Sequence, residues 1–468
     1  MAHDSSDLVV LGAGSAGFAA AIRAAEEGAA VTLVHHGTLG GTCVNVGCVP
    51  SKTLIRAADA RHARLHHPFD GVSRSGEPVD WARVRNGKDE LVSRLRQAKY
   101  ADVLDAYPGI ALVEGRARLA RDGSVVLPGD RILRAGATVI TTGSRPEIPA
   151  IEGLGTDGFL DSTGLLDVEV LPPSLAVLGA GPVALELAQA YARFGVDVTV
   201  IARSRLLSRD DIDIGRELAV HLRSEGVSVV ESATVVRIER GEAMRRVVLR
   251  GAEGGESVVE AAEILVATGR RPNTADLGLA EAGIRLGPRG QILVDETLRT
   301  ANARVWAAGD VTGEPMHVYV AARAGGAAAA NALGGEEKLD LSVLPQVTFT
   351  DPGVATVGLT EAQARERGLH PIVSRLPLEH VPRALAARDT RGFIKLVAEA
   401  GSRRILGAQI VAREAWEVIM EPALAVRGGL TIDDLSGTLH PYLTLAEGVR
   451  LAALAFSKKV EKMSCCAA

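Results

Sequence analysis

Cysteine is scarce: the 468 residues hold four, too few to staple a secreted scaffold. Aromatic residues make up only 3%, which leaves little for a nucleic-acid surface built on base-stacking rings. Neither sign of charge dominates. The 52 Lys and Arg stand against 57 Asp and Glu, a net of −5 with a pI near 6.2, so no broad basic field invites nucleic acid or an anionic membrane. Residues 1–7 lack the basic flank and long apolar core of a secretory signal. The Ala-rich stretch 318–335 is interrupted by Arg323 and several glycines, so it does not read as a membrane span. A cytoplasmic protein is the expectation. What remains is ordinary globular composition, 47% hydrophobic and 23% charged, over a length that suggests about three domains.

Two stretches share one pattern. Residues 8–11 read as a buried strand, Gly12-Ala13-Gly14-Ser15-Ala16-Gly17 as a turn, 18–27 as a helix and 30–34 as a second strand. Residues 175–178, Gly179-Ala180-Gly181-Pro182-Val183-Ala184, a helical run to about 194 and a strand at 196–201 repeat it. This is the βαβ dinucleotide unit: its glycines let the backbone approach a pyrophosphate, whose charge then sits at a helix N-terminus. Either alone could be an ordinary strand-to-helix turn; two in full context point to two bound nucleotides.

Apolar strands at 137–143 and 263–269 both end in Thr-Gly and bracket the second unit as crossovers between domains would. Residues 305–310 read as a strand delivering Asp310 to a polar ligand edge. From about residue 340 strands alternate, as at 393–397 and 405–411, and helices follow at 414–427 and 445–462: an α+β block. The expected organisation is 1–150 and 273–340 for the first nucleotide, 151–272 for the second, and 341–468 as a separate domain.

The second strand of such units usually ends in an acid that binds the adenosine ribose. Counting 23 residues on from Gly12 gives His35, then His36; no carboxylate is available, although a His can hydrogen-bond a hydroxyl. The same count from Gly179 gives Ala202, followed by Arg203 and Arg205. Two guanidiniums suit a ribose 2′-phosphate, so NADPH is expected over NADH unless these arginines are merely solvated.

The segment Gly40-Gly41-Thr42-Cys43-Val44-Asn45-Val46-Gly47-Cys48-Val49-Pro50-Ser51-Lys52 sets two cysteines at an expected loop-to-helix junction, where a helix dipole favours a thiolate. A buried inert pair is the competing reading. The segment resembles the redox-active stretch of the FAD-dependent pyridine nucleotide–disulfide oxidoreductases, and the resemblance runs in order along essentially the whole chain. It implies an α/β fold with two Rossmann-like domains, for FAD and NAD(P), and a C-terminal α+β dimerisation domain. By that pattern Cys48 lies beside the flavin as the charge-transfer thiolate and Cys43 is the exchanging thiol. Lys52 sits near the flavin N5 edge, paired with Glu186. The FAD contacts are Gly12, Gly14, Ser15, Ala16, Gly17, His35, Gly41, Thr42, Lys52, Thr142, Gly143, Gly309 and Asp310. Those of NADPH are Gly179, Gly181, Ala184, Arg203, Arg205 and Gly269.

Within this family the terminal Ser464-Cys465-Cys466 resembles the members that reduce mercuric ion. Disulfide-reducing members protonate a leaving thiol with a His-Glu pair near the C-terminus. This chain reads His440-Pro441-Tyr442-Leu443-Thr444-Leu445-Ala446-Glu447; aligned on Thr444, Leu445 and Glu447, Tyr442 takes the place of the His. A tyrosine with a pKa near 10 is a poor proton donor at neutrality, whereas Hg(II) asks for soft thiolates and no acid. The resemblance implies a homodimer with a shared active site, reducing Hg(II) to Hg(0) with two electrons from NADPH. Hg(II) would arrive as a thiol complex and pass from Cys465 and Cys466 of the partner subunit to Cys43 and Cys48, flanked by Tyr100 and Tyr442. The competing reading of Tyr100 is a packing residue, and that of the tail pair a vicinal disulfide or exposed thiols. The alternatives are a reductase of dihydrolipoamide or other small disulfides, and a non-catalytic flavin redox sensor or soft-metal binding protein. No Cys-x-x-Cys precedes residue 8, so Hg(II) is expected from small thiols or another protein.

Overall fold

The computed structural model describes residues 5–155, 158–241, 244–313, 315–459 and 462. Its first sheet is built on β1 (Ser5–Leu11), which pairs in parallel with β2 (Val31–His35); β2 in turn pairs with β3 (Ile110–Glu114), and β4 (Ile132–Ile140) lies on the other side of β1. Leu8 to Leu11 are buried on both faces, as continuous apolar runs in parallel strands require. A second parallel sheet holds β5 (Ser174–Leu178) between β6 (Asp197–Ile201) and β7 (Glu263–Val266). The chain then returns to the first sheet, where β8 (Val305–Ala307) pairs in parallel with β4. A third sheet is antiparallel and runs in the order Gln346–Thr348, Gly353–Gly358, Ile405–Ala412, Phe393–Glu399, Pro371–Pro377.

Helix α1 (Ser15–Glu26) follows β1, then the short α2 (Gly41–Val46) and the long α3 (Cys48–His66). Helix α4 (Pro182–Phe194) follows β5 and ends at Gly195, whose φ of 102° supplies the left-handed cap. The Ala-rich stretch forms α5 (Val318–Ala332), packed on α1. A side chain at Gly325 would put its Cβ 2.1 Å from the Ala16 carbonyl oxygen, so small residues here serve close helix packing. Among the described residues, no helix is long and apolar enough to cross a membrane.

Two expected helices are corrected. That at 414–427 is divided into Ala415–Val418 and Met420–Gly428, with Glu414 left-handed at φ 58°; Pro422 then falls in a first turn, where its missing N–H costs nothing. That at 445–462 is only Glu447–Leu454. Val449, Leu451, Ala452 and Ala453 are buried there, but Ser457-Lys458-Lys459 beyond offers no apolar face to hold a further turn.

The segments around these three sheets meet at one buried cation. Arg193, at the end of α4, lies 2.6 Å from Asp59 of α3, 2.6 Å from Glu225 and 2.9 Å from Asp351. Asp351 is also 2.9 Å from Arg391, which precedes the strand Phe393–Glu399. His62 on α3 faces the same cluster, and burial first, then the Arg193 charge, push it down to about 4, so the ring stays neutral near pH 7.

Candidate active site

Two backbones meet at the first glycine turn. Gly12 has φ 115°, and a Cβ there would sit 2.4 Å from the Thr141 carbonyl oxygen. Thr141 Oγ1 donates to the carbonyls of Leu11 and Gly12 at 3.0 and 2.9 Å, which fixes the turn against β4. Gly17 packs on the Gly12 carbonyl, where a Cβ would lie at 1.7 Å. Gly14 is closed over by Gly41: a Cβ on Gly41 would stand 2.6 Å from Gly14 Cα. The cradle thus admits backbone only, and the N–H groups opening α1 are left for an anion.

From this turn runs a cavity of about 780 Å³. Gly12, Gly14, Ser15, Ala16, His35, Gly41, Thr42, Cys43, Cys48, Lys52, Thr142, Gly143 and Asp310 line it. Gly17 and Gly309 are not among the lining residues; Gly309, at φ 78°, packs beneath Ala16. Asp310 Oδ2 accepts from Ser144 Oγ at 2.6 Å, and Ser144 accepts in turn from Arg270 Nε at 2.8 Å. Arg270 also lines the cavity, and burial lowers its guanidinium below the usual arginine range. Sequence reasoning passed over Arg270, although it directly follows the Thr-Gly that ends the crossover.

Cys43 lies on α2, and Cys48 is the first residue of α3, beyond Gly47. Both are free thiols. The Cys43 thiol hydrogen-bonds to the Cys48 sulfur, which is the largest influence bringing Cys48 down to about 6; burial opposes this and the Lys52 charge assists. The same bond, with burial, drives the Cys43 pKa far up. One sulfur is thus a thiolate at neutral pH while its neighbour keeps the proton. Lys52 Nζ sits 2.6 Å from Glu186 Oε2, and Glu186 Oε1 accepts from the Phe349 backbone N–H at 2.9 Å. The ammonium is 4.7 Å from the centroid of the Phe349 ring. Nothing in the local sequence marks Phe349; it reaches the site from the edge of the third sheet.

Tyr100 stands near both thiols, half-buried, sharing a hydrogen bond with Ser15 and raised above the usual phenol range chiefly by burial. Its ring packs edge-on to Phe18 at 4.7 Å. Tyr442 and Glu447 are not among the residues lining the cavity. Tyr442 is 51% exposed, beside Leu439 at 93%. Glu447 is buried and accepts from the Leu443 N–H at 3.3 Å. His440 has both ring nitrogens engaged, Nδ1 with the Thr438 carbonyl at 2.9 Å and Nε2 with Glu421 at 2.7 Å. Cys465 and Cys466 lie outside the described residues.

At the second turn Gly179 packs on the Ala267 carbonyl, where a Cβ would be 2.3 Å away, while Gly181 has no heavy atom within 4 Å. Ala184 is buried inside α4, and Gly269 takes φ 150°. Val183 and Glu186, on the first turns of α4, line the cavity of the first unit. The two nucleotide units therefore meet at Lys52 and the cysteines. Arg203 is exposed. Arg205 donates from Nη1 to the Leu206 and Leu207 carbonyls and from Nη2 to those of Ser208 and Asp210; its guanidinium shapes the loop.

Comparison with known proteins agrees with this geometry. Residues 6–325 match the family model described as pyridine nucleotide-disulphide oxidoreductase, and residues 344–453 match the dimerisation domain of the same family. The mercuric reductase of Lysinibacillus sphaericus is 45% identical over 99% of this chain and 85% of its own length. That of Streptomyces lividans is 45% identical over 100% of this chain and 99% of its own. Among solved structures, the Cu(II) complex of the HOCl-induced flavoprotein disulfide reductase RclA from Escherichia coli superposes with a TM-score of 0.84 at 31% identity, covering 94% of this chain and 98% of that one.

Proposed function

The chain belongs to the pyridine nucleotide–disulphide oxidoreductase family, and on that footing we propose that it reduces Hg(II) to Hg(0) at the expense of NADPH. The observation that carries the reading is the asymmetric dithiol: a Cys48 thiolate held beside a protonated Cys43 at the wall of a dinucleotide-sized cavity. The side-chain-free cradle at Gly14 and Gly41 fits the pyrophosphate of FAD, with Thr42, Thr142, Gly143 and Asp310 along its length. FAD, when bound, accepts a hydride from NADPH and passes two electrons to sulfur. The unobstructed Gly181 at the start of α4 suits NADPH, and Arg203, exposed just beyond the strand end, is assigned to its 2′-phosphate.

Lys52 holds positive charge beside Cys48 and is itself held by Glu186 and the Phe349 ring. Hg(II) bound between Cys43 and Cys48 takes up two electrons; both sulfur–mercury bonds break, and Hg(0) leaves behind two thiolates. Soft thiolates select a soft cation. Tyr100, already against the thiols, forms one wall of the metal position. Tyr442 and Glu447, with Cys465 and Cys466, are assigned to the site of a second copy, a placement supported by the exposed Leu439 and Tyr442 and by the match to a dimerisation domain. His440, occupied at both nitrogens, has no free position from which to protonate a leaving thiol, which weighs against a disulfide substrate.

The test is NADPH consumption with Hg(II) in excess small thiol, run beside lipoamide and glutathione disulfide, with Hg(0) collected from the headspace. Multiple turnovers with Hg(II) alone, abolished by Cys48→Ser, are expected. Sustained turnover with either disulfide and no volatile mercury would overturn the reading.

A further inference from the structure

We propose that His35, fixed as the tautomer protonated on Nδ1, supplies through Nε2 the hydrogen-bond acceptor for an adenosine ribose hydroxyl of FAD. The inference rests on the flavin-binding reading above. In a βαβ unit the ribose lies at the end of the second strand, where a carboxylate accepts from its hydroxyls. Here β2 ends at His35, whose ring lines the cavity.

His35 Nδ1 lies 3.0 Å from the Gly37 carbonyl oxygen. A carbonyl only accepts, so the hydrogen belongs to Nδ1, and this tautomer keeps a bare lone pair on Nε2. In the neighbouring ring the other nitrogen is engaged. Arg116 Nε donates to His36 Nε2 at 3.1 Å, and an arginine has no acceptor, so His36 accepts on Nε2 and carries its hydrogen on Nδ1, a donor on a residue of the cavity rim. The two rings thus supply one acceptor and one donor, a pair that suits a vicinal diol, without a negative charge.

The carboxylates among the lining residues are Glu186, Asp310 and Asp276. Glu186 is bonded to Lys52 and Asp310 to Ser144. Asp276, exposed and at φ 59°, is the rival acceptor, and its Asn variant is the control.

The experiment follows flavin fluorescence as the full chain, stripped of flavin, is titrated with FAD and with FAD analogues lacking the adenosine 2′- or 3′-hydroxyl. His35→Leu is expected to weaken FAD roughly tenfold, the worth of one hydrogen bond, and to leave almost unchanged the affinity for the analogue lacking the bonded hydroxyl. His35→Gln and His35→Glu, which keep an acceptor, should retain most of the affinity, which guards against a folding artefact. Equal weakening by His35→Leu for FAD and both deoxy analogues would overturn the assignment. So would the same coupling appearing with Asp276→Asn and not at His35. A wild-type chain that binds no FAD overturns this inference together with the flavin reading, whereas one that binds FAD but volatilises no mercury sinks only the substrate assignment.

Discussion

At the first glycine turn Thr141 stands against Gly12, Gly41 covers Gly14, and α5 presses on Ala16 through Gly325. At the second turn Gly179 is packed against Ala267 in the same manner, yet Gly181 faces open space and the following Val183 is 45% exposed. The strand ends differ likewise: His35 is half-buried at the cavity wall, whereas Arg203 stands on the surface. Nearly the same string of residues therefore makes two kinds of holder. The first is walled by three other segments and suits a group that stays; the second is open on one side and suits one that comes and goes. The difference resides in the neighbours, since the motif fixes only the backbone path.

The strongest way to break this contrast is to fill each turn. Gly41→Val sets a side chain against Gly14 Cα, backbone that cannot give way, and purified protein is expected to be colourless, as read by flavin absorbance. Gly181→Val meets nothing in the protein; flavin content should match wild type while KM for NADPH rises about tenfold or more as the pyrophosphate loses its approach. Flavin loss in both variants would show that the two turns do not differ in kind. A finer probe is the arginine pair. Arg203→Ala is expected to raise KM for NADPH about tenfold and leave NADH unchanged, whereas Arg205→Ala should affect both nucleotides alike through the loop it braces. The smallest effect concerns the thiol pair at the junction of the two holders. An acid whose pKa is lowered keeps its charge above the new value, so the Cys48 thiolate of reduced protein should persist at pH 7 and be lost as pH falls through about 6. Cys43→Ala removes the hydrogen bond that does most to lower it and should move that midpoint up by about one unit, measurable from thiolate absorbance or alkylation rate against pH.

Both glycine turns, the cysteine segment and the return to the first sheet were legible because each is a local string with its own geometric demand. Side chains brought in from afar were not. Phe349 under Lys52, Arg270 behind Asp310, and the diversion of Arg205 onto its own loop depend on partners that no spacing rule connects. The final helix was read eight residues too long, to 462 where it ends at Leu454, because charged residues such as Lys458 and Lys459 are good helix formers but have no face to bury there. His35 shows the converse: its departure from the usual acid was plain in the sequence, and only the Gly37 carbonyl reveals which nitrogen is left to accept.

Helices α3 and α4 share two ion pairs, Lys52 to Glu186 and Asp59 to Arg193. Both intervals are seven residues, close to two turns of helix or about 10 Å, so the two rods lie in step like rails with matching sleepers. Slippage along this seam would break both ties together, which leaves the sulfur at the tip of α3 at a set height against the mouth of the neighbouring rod, however the outer loops move.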